Sequence, residues 1–327
     1  MKVSVVVPVY NVAAYIEKCA ESLLCQTLHN IEILFIDDCS TDNSVDIIED
    51  TIKKYPDKTK YVRIIRRQTN IGLAGVRLQG INESKGEYII HCDGDDWVDK
   101  DLYERMYLEA VAKDADIVIC DEICEYKDHQ EMCIIQKLPC FCKDIVRNWY
   151  SSCLGMYCHN KMVRKSVYTS NNVLPWVGLN MWEDNGLMTR LMYYGDRLSQ
   201  VHGTYYHYNR TNISSMTASY DENHIMQMIG IANNLSTFFK AQPDAKDFEE
   251  TVMAFQFLAK IHFVTDKWSD FKLYKLFFPG SERIMPKLDP MAFSKKGRIR
   301  FYMVRYHLSW LFILIFKFHI MVNNLMK

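Results

Sequence analysis

Residues 85–96 read Lys-Gly-Glu-Tyr-Ile-Ile-His-Cys-Asp-Gly-Asp-Asp, an apolar run that ends in three carboxylates within four positions. Gly86 opens a strand over Glu87–Cys92, and the near-continuous apolar character fits a strand buried on both faces. In open α/β sheets ligands bind beyond the carboxyl ends of the strands, so this stretch proposes a fold and a site together. Its neighbours repeat the pattern. On the amino-terminal side, strands are expected at Val3–Val9, Ile31–Ile36 and Tyr61–Ile65. Helices are expected at Ala13–Gln26, Ser44–Tyr55 and Leu73–Glu83. On the other side follow a helix over Lys100–Ala112 and a strand over Asp116–Cys120. Repeated βα units predict an α/β fold: a doubly wound, mainly parallel, Rossmann-like sheet with helices on both faces.

Beyond Asp121 the alternation loosens. Trp182–Tyr194 reads as a helix and Leu198–Tyr208 as an extended, aromatic-rich segment. Ile225–Lys240 and Phe248–Phe263 then read as helices. The expected organisation is an α/β domain over 1–217 and a helical C-terminal region over 218–327.

Three expected strand ends are polar or acidic: Pro8-Val9-Tyr10-Asn11, Asp37-Asp38 and Asp93-Gly94-Asp95-Asp96. Carboxylates gathered on one edge repel each other and resist desolvation. A bound divalent cation or a set of hydroxyls would relieve that repulsion. Hard oxygen ligands suit Mg²⁺ or Mn²⁺, held by one or two carboxylates plus substrate phosphates. The competing reading of each run is a turn that caps the next helix. A lone Arg77 inside a helix reads as a solvated charge.

As a set, VSVVVPVYN, ILFIDDCSTDNS, NIGLAGVRLQG, KGEYIIHCDGDD and MWEDNGL resemble, in order and spacing, the family-2 glycosyltransferases of the GT-A fold. HNKMVRKSVY (159–168) and YYHYNRTNISSMT (205–217) are similar to the acceptor-side and closing segments of bacterial members. The resemblance implies an inverting transfer from a nucleotide-diphosphate sugar, with uridine as the expected base. It places Pro8 and Tyr10 in the nucleoside pocket and Asp38 on the uracil ring. Asp93 is implied to approach the ribose and share the metal with Asp95, and Arg77 to lie on the diphosphate side. Asp184 is implied as the catalytic base. Glu183 is the alternative base, Trp182 an acceptor-stacking candidate, and His207 and Arg210 accessory candidates. A core or surface role competes for each of these last three.

The charge balance divides the chain. Residues 290–327 carry seven basic and no acidic side chains, so an overall net charge of −1 leaves −8 for the body. That balance argues against a nucleic-acid partner. His307–Val322 is strongly apolar and follows the basic stretch Lys295–Arg305. It falls short of the ~20 apolar residues of a spanning helix. The expectation is a helix at the surface of an anionic membrane through 295–327, with a core or dimer-interface helix as the alternative. A lipid-linked or glycan acceptor would suit that location.

Eleven cysteines, all between Cys19 and Cys158, make an odd count in a long chain. That fits a reducing cytoplasm better than a disulfide scaffold. Cys120, Cys124, Cys133, Cys140, Cys142, Cys153 and Cys158 cluster in sequence, but no paired CxxC spacing is present. They read as small buried hydrophobes rather than zinc ligands. Two other functions compete with sugar transfer. A nucleotidyltransferase would want a basic, glycine-rich phosphate loop after the first strand, and Pro8–Ala14 has no such residues. A non-catalytic sugar- or membrane-binding module would not need a paired carboxylate motif.

Overall fold

The computed structural model describes residues 1–136, 138–151, 154–213, 215–216, 220–263, 271–288 and 302. The tail expected at a membrane surface, 295–327, lies outside the described residues except for Tyr302. Among the described residues no helix is long and apolar enough to cross a membrane.

The chain divides into two compact units, one of Met1–Val146 with Gly155–Ser219 and one of Arg147–Leu154 with Tyr220–Lys327. The first unit opens with β1 (Val3–Val9), α1 (Ile16–Leu24), β2 (Ile31–Asp37), α2 (Ser44–Lys53), β3 (Val62–Arg66) and α3 (Gly72–Glu83). It continues through β4 (Tyr88–His91), β5 (Trp97–Val98), α4 (Leu102–Lys113), β6 (Ile117–Glu125) and β7 (Gln130–Cys133). After α5 (Cys142–Asn148) come β8 (Lys161–Arg164), α6 (Lys165–Ser170), α7 (Glu183–Tyr194) and β9 (Leu198–Asn209). The strands form one sheet in the order β3-β2-β1-β4-β8-β6-β9-β5, with β7 added to β6.

The sheet has two characters. From β3 to β4 every pairing is parallel. Beyond β4 it is mixed: β8 is antiparallel to β4 and to β6, β9 is parallel to β6, and β5 is antiparallel to β9. Strands β1, β2 and β4 are buried on both faces, while the edge strand β3 is only half-buried. Val3, Val5, Val6, Val7 and Val9 are fully buried, as the apolar run of β1 requires. Helix α1 covers it with Ile16, Cys19, Ala20, Leu23 and Leu24, the i, i+3, i+4, i+7, i+8 stripe of an amphipathic helix.

Among the boundaries that differ from the sequence reading, those of α1 and β6 have clear physical causes. Helix α1 begins at Ile16 rather than Ala13, because the Val12 and Ala13 amides donate to Ser44 Oγ (2.9 Å) and Asp42 Oδ2 (3.0 Å). Strand β6 runs past Cys120 to Glu125, with a register break between Cys120 and Asp121. The acidic residues that ended the apolar run are satisfied in place. Asp121 accepts from Ile135 N and faces His202 Nδ1, both at 2.8 Å, and Glu122 faces His159 and Asn160.

The second unit is helical. It contains α8 (Glu222–Lys240), α9 (Glu249–Ile261) and α10 (Phe271–Leu276). Asp221 caps α8, accepting from His224 N at 2.8 Å in a reciprocal capping box. The buried Lys260 ammonium is held by Phe277 O, Phe278 O and Glu282 Oε1 (2.6 Å).

Candidate active site

The turn after β4 is built to hold carboxylates in different environments. Asp96 N donates to Asp93 O (3.0 Å), closing Asp93-Gly94-Asp95-Asp96. A Cβ at Gly94 would come within 2.9 Å of Pro8 O, so only glycine lets the turn lie this close to the end of β1. Asp96 is fully buried and belongs to the frame. Its oxygens accept from Asn209 N (2.7 Å) and Tyr206 Oη (2.5 Å), and Tyr206 Oη in turn accepts from Asp93 N (3.1 Å). Burial, then Asp95, pushes the Asp96 carboxyl well above the usual carboxylate range.

Asp93 and Asp95 are partly exposed. Asp93 Oδ1 accepts from Arg77 Nη2 (2.9 Å), and Asp95 Oδ2 accepts from Asn212 Nδ2 (2.7 Å). Their other carboxylate oxygens make no hydrogen bond among the described residues. Burial, with Asp93 nearby, raises the Asp95 pKa, against the opposing pull of Asn212 and His159. Two under-neutralised carboxylates with free hard oxygens are a donor set that fits Mg²⁺ or Mn²⁺.

Helix α7 delivers the other acidic pair. Trp182, just before it, sits in the left-handed region at φ 64°, an unusual conformation for a bulky residue. Such backbone costs about 1–3 kcal/mol and gathers at functional sites. It starts the helix at Glu183 and Asp184, at a terminus whose dipole favours negative charge. Adjacent helical residues diverge by about 100°, and the two carboxylates have different partners. Glu183 is buried and meets Arg77 Nε at 3.0 Å. Asp184 Oδ1 accepts from Asn185 N (2.7 Å) and Asn185 Nδ2 (3.0 Å), while Oδ2 is unengaged among the described residues. Burial, then the Asp184 charge, pushes the Glu183 carboxyl up to about 8. Burial likewise raises Asp184, with Arg77, Asn185 and His159 opposing.

Arg77 therefore joins the two motifs. It bridges Asp93 and Glu183 from α3 and is itself only 3% exposed. Burial works against its charge, but Asp93 and Glu183 hold the guanidinium firmly protonated. Its remaining nitrogen, Nη1, is buried without a hydrogen bond among the described residues. In this arrangement Nε and Nη2 brace the two carboxylates.

The remaining sequence candidates separate. Pro8 and the half-exposed Tyr10 lie at the end of β1. Asp38 lies at the end of β2, but both its oxygens serve the start of α3, accepting from Ile71 N (2.8 Å) and Gly72 N (2.9 Å). His207 is not joined to Asp93 or Asp95. Its ring nitrogens face Glu125 (2.7 Å) and Asp99 (3.2 Å), and the ring stacks on Trp97. Arg210 lies over the Tyr208 ring at 4.8 Å.

His159, within HNKMVRKSVY, carries no local signal that sets it apart as a single residue. Its ring is stacked on Tyr206 (4.5 Å), Tyr157 (5.2 Å) and Tyr208 (5.6 Å), and Nε2 lies 3.1 Å from Glu122 Oε2. The neighbouring Lys161 is fully buried. Its ammonium donates to Gly155 O (2.8 Å), Tyr157 O (3.0 Å) and Asn160 Oδ1 (2.6 Å), and burial lowers its pKa to about 8. Lys161 thereby fixes the loop that carries Tyr157 and His159. Asn209 and Asn212, which hold the Asp95 backbone and side chain, were also not singled out.

A parallel βα half, an acidic turn at its carboxyl edge and a second acidic pair on a helix of the mixed half define the GT-A architecture. Residues 4–170 match the family model for glycosyl transferase family 2, and the chain belongs to that family. EpsH of Bacillus subtilis strain 168, which carries the name of a glycosyltransferase, is 28% identical over 292 residues, 88% of this chain and 80% of its own. Glycosyltransferase GlyG of Streptococcus pneumoniae serotype 4 is 41% identical over 117 residues, 36% of this chain and 38% of its own. The fold is also that of S. aureus TarS residues 1–349, solved with UDP-GlcNAc. The TM-score is 0.65 at 18% identity, covering 94% of this chain and 88% of that one.

Proposed function

We propose that this glycosyltransferase moves a hexosyl or N-acetylhexosaminyl group, with inversion, from a UDP-sugar to a hydroxyl of a glycan or lipid-linked acceptor in cell-surface polysaccharide synthesis. The observation that carries the proposal is the Arg77 bridge between Asp93 and Glu183, which sets a donor-side and an acceptor-side carboxylate pair around one cation. Inversion needs a single displacement and one base. Asp184 is the better candidate, since Glu183 is committed to Arg77 and Asp184 keeps an oxygen that is unengaged among the described residues. It accepts the hydroxyl proton as the new bond forms. Asp93 and Asp95 would hold Mg²⁺ or Mn²⁺, which when bound neutralises charge on the diphosphate. Pro8 and Tyr10 line the nucleoside side, and Trp182 offers a ring to an acceptor sugar. The segment 295–327 would rest on the cytoplasmic face of the membrane, a reading supported by its sequence alone.

The test is a screen of UDP-sugars for transfer and hydrolysis, with and without Mn²⁺ or Mg²⁺, alongside calorimetric UDP binding. Asp95→Ala is expected to lose the metal-dependent part of UDP binding and to reduce kcat/KM about 100-fold or more. Wild-type UDP affinity that ignores chelation would sink the metal assignment. Failure with every UDP-sugar would sink the donor assignment.

A further inference from the structure

Strands β6 and β7 form an antiparallel pair in which Glu122 stands opposite Cys133, and Cys124 opposite Glu131. Side chains alternate along a strand. Glu122 and Cys124, two residues apart, therefore share a face with Cys133. A carboxylate oxygen and the two sulfurs all lie within 4.8 Å of one another.

The two sulfurs are 3.9 Å apart. A disulfide needs about 2.05 Å, with Cα atoms usually within about 6.8 Å. Cys124 and Cys133 are diagonal rather than opposite, and diagonal neighbours are about 7–8 Å apart. The pair is thus poorly placed for a disulfide without backbone movement. Two thiolates on one tetrahedral zinc, each at about 2.3 Å, are separated by about 3.8 Å, close to the spacing found here. Glu122 is also oriented as a ligand should be. His159 Nε2 (3.1 Å) and Asn160 Nδ2 (3.3 Å) both hold its Oε2, and Oε1 makes no hydrogen bond among the described residues. Outer partners of this kind fix ligating carboxylates. The Arg210 guanidinium, charge-coupled to Cys124, offsets part of the negative charge that two thiolates and a carboxylate bring.

We propose that Glu122, Cys124 and Cys133 form a binding site for a borderline-soft divalent cation of the zinc class, separate from the hard-oxygen pair Asp93 and Asp95. Three protein ligands leave a fourth position open. Because Glu122 also holds His159, occupancy would fix the aromatic cluster of His159, Tyr206 and Tyr208.

The probe is Co²⁺, added to the reduced full-length protein under anaerobic conditions with Mg²⁺ in excess. One equivalent is expected to produce thiolate-to-cobalt charge-transfer absorption. Cys124→Ser and Cys133→Ser should each abolish the band, and Glu122→Gln should weaken cobalt binding about tenfold or more. Cys133 is exposed, so an unchanged thermal melt of Cys133→Ser separates ligand loss from misfolding. A wild-type protein without the band, or a band of full strength in Cys133→Ser, overturns the proposal. So does purified protein whose mass shows the two cysteines already joined.

Discussion

The two halves of the sheet treat their carboxylates in opposite ways. At the ends of β1 and β2, acidic side chains are neutralised by backbone amides. Asp37 accepts from Ser40 N, Asp38 from Ile71 N and Gly72 N, and Asp42 from Ala13 N and Ser44 N. For Asp42, burial opposes ionisation but is outweighed by these donors and Ser44 Oγ, so its pKa is lowered. Across β4 and α7, by contrast, Arg77 joins Asp93 to Glu183, with Asp95 and Asp184 beside them in sequence, and burial raises Asp95, Glu183 and Asp184. The first group stabilises the fold. The second leaves charge and oxygens that are unengaged among the described residues, the pattern expected if the proposed donor and metal are its neutralising partners.

The largest test of that contrast is Asp184→Asn. It should lower kcat about 10²–10⁴-fold and leave UDP affinity within about twofold. Activity near that of the wild type would shift the base to Glu183. Arg77→Met comes next. Leaving Asp93 and Glu183 without their cation should cost about 3 kcal/mol or more in a denaturant melt. The pH sign follows from its charge. Arg77 lowers both acidic partners on α7, so its loss raises their pKa values further, and the base must lose its proton to work. The acidic limb of kcat/KM should therefore move to higher pH. A weaker UDP affinity with an unmoved limb would instead make Arg77 a diphosphate ligand. The smallest effect is expected at Asp38→Ala. Losing two charge-assisted hydrogen bonds should cost about 2 kcal/mol, with little change in UDP binding. Loss of UDP affinity with an unchanged melt would break the contrast and make Asp38 the residue that reads the base.

The parallel half was legible because burial on both faces leaves long apolar runs, and short βα connections keep those runs in register. Strands β1 and β2 and helices α3 and α7 lie within a residue or so of their expected spans. The mixed half was harder to read. Strand β6 passes through Asp121 and Glu122, whose partners come from residues 14–81 positions away. No local pattern announces that such residues belong in a strand. Gly94 and the acidic motifs were visible for the opposite reason, since a turn at a strand end carries its chemistry within a few residues.

Sequence alone thus determined the family, the parallel half of the sheet and the two acidic motifs, all of which are short-range features. Tertiary structure decided what each charge does. It placed Arg77 between the motifs, gave Asp38 to a helix terminus, bound His207 to Glu125 and Asp99, and set His159 against Tyr206. It also brought Cys124 and Cys133 to within 3.9 Å beside Glu122, although their sequence spacing carries no metal signature. The physical reason is common to all of these. A side chain's charge state and partners depend on burial and on neighbours from distant segments, and only the folded sheet brings those segments together.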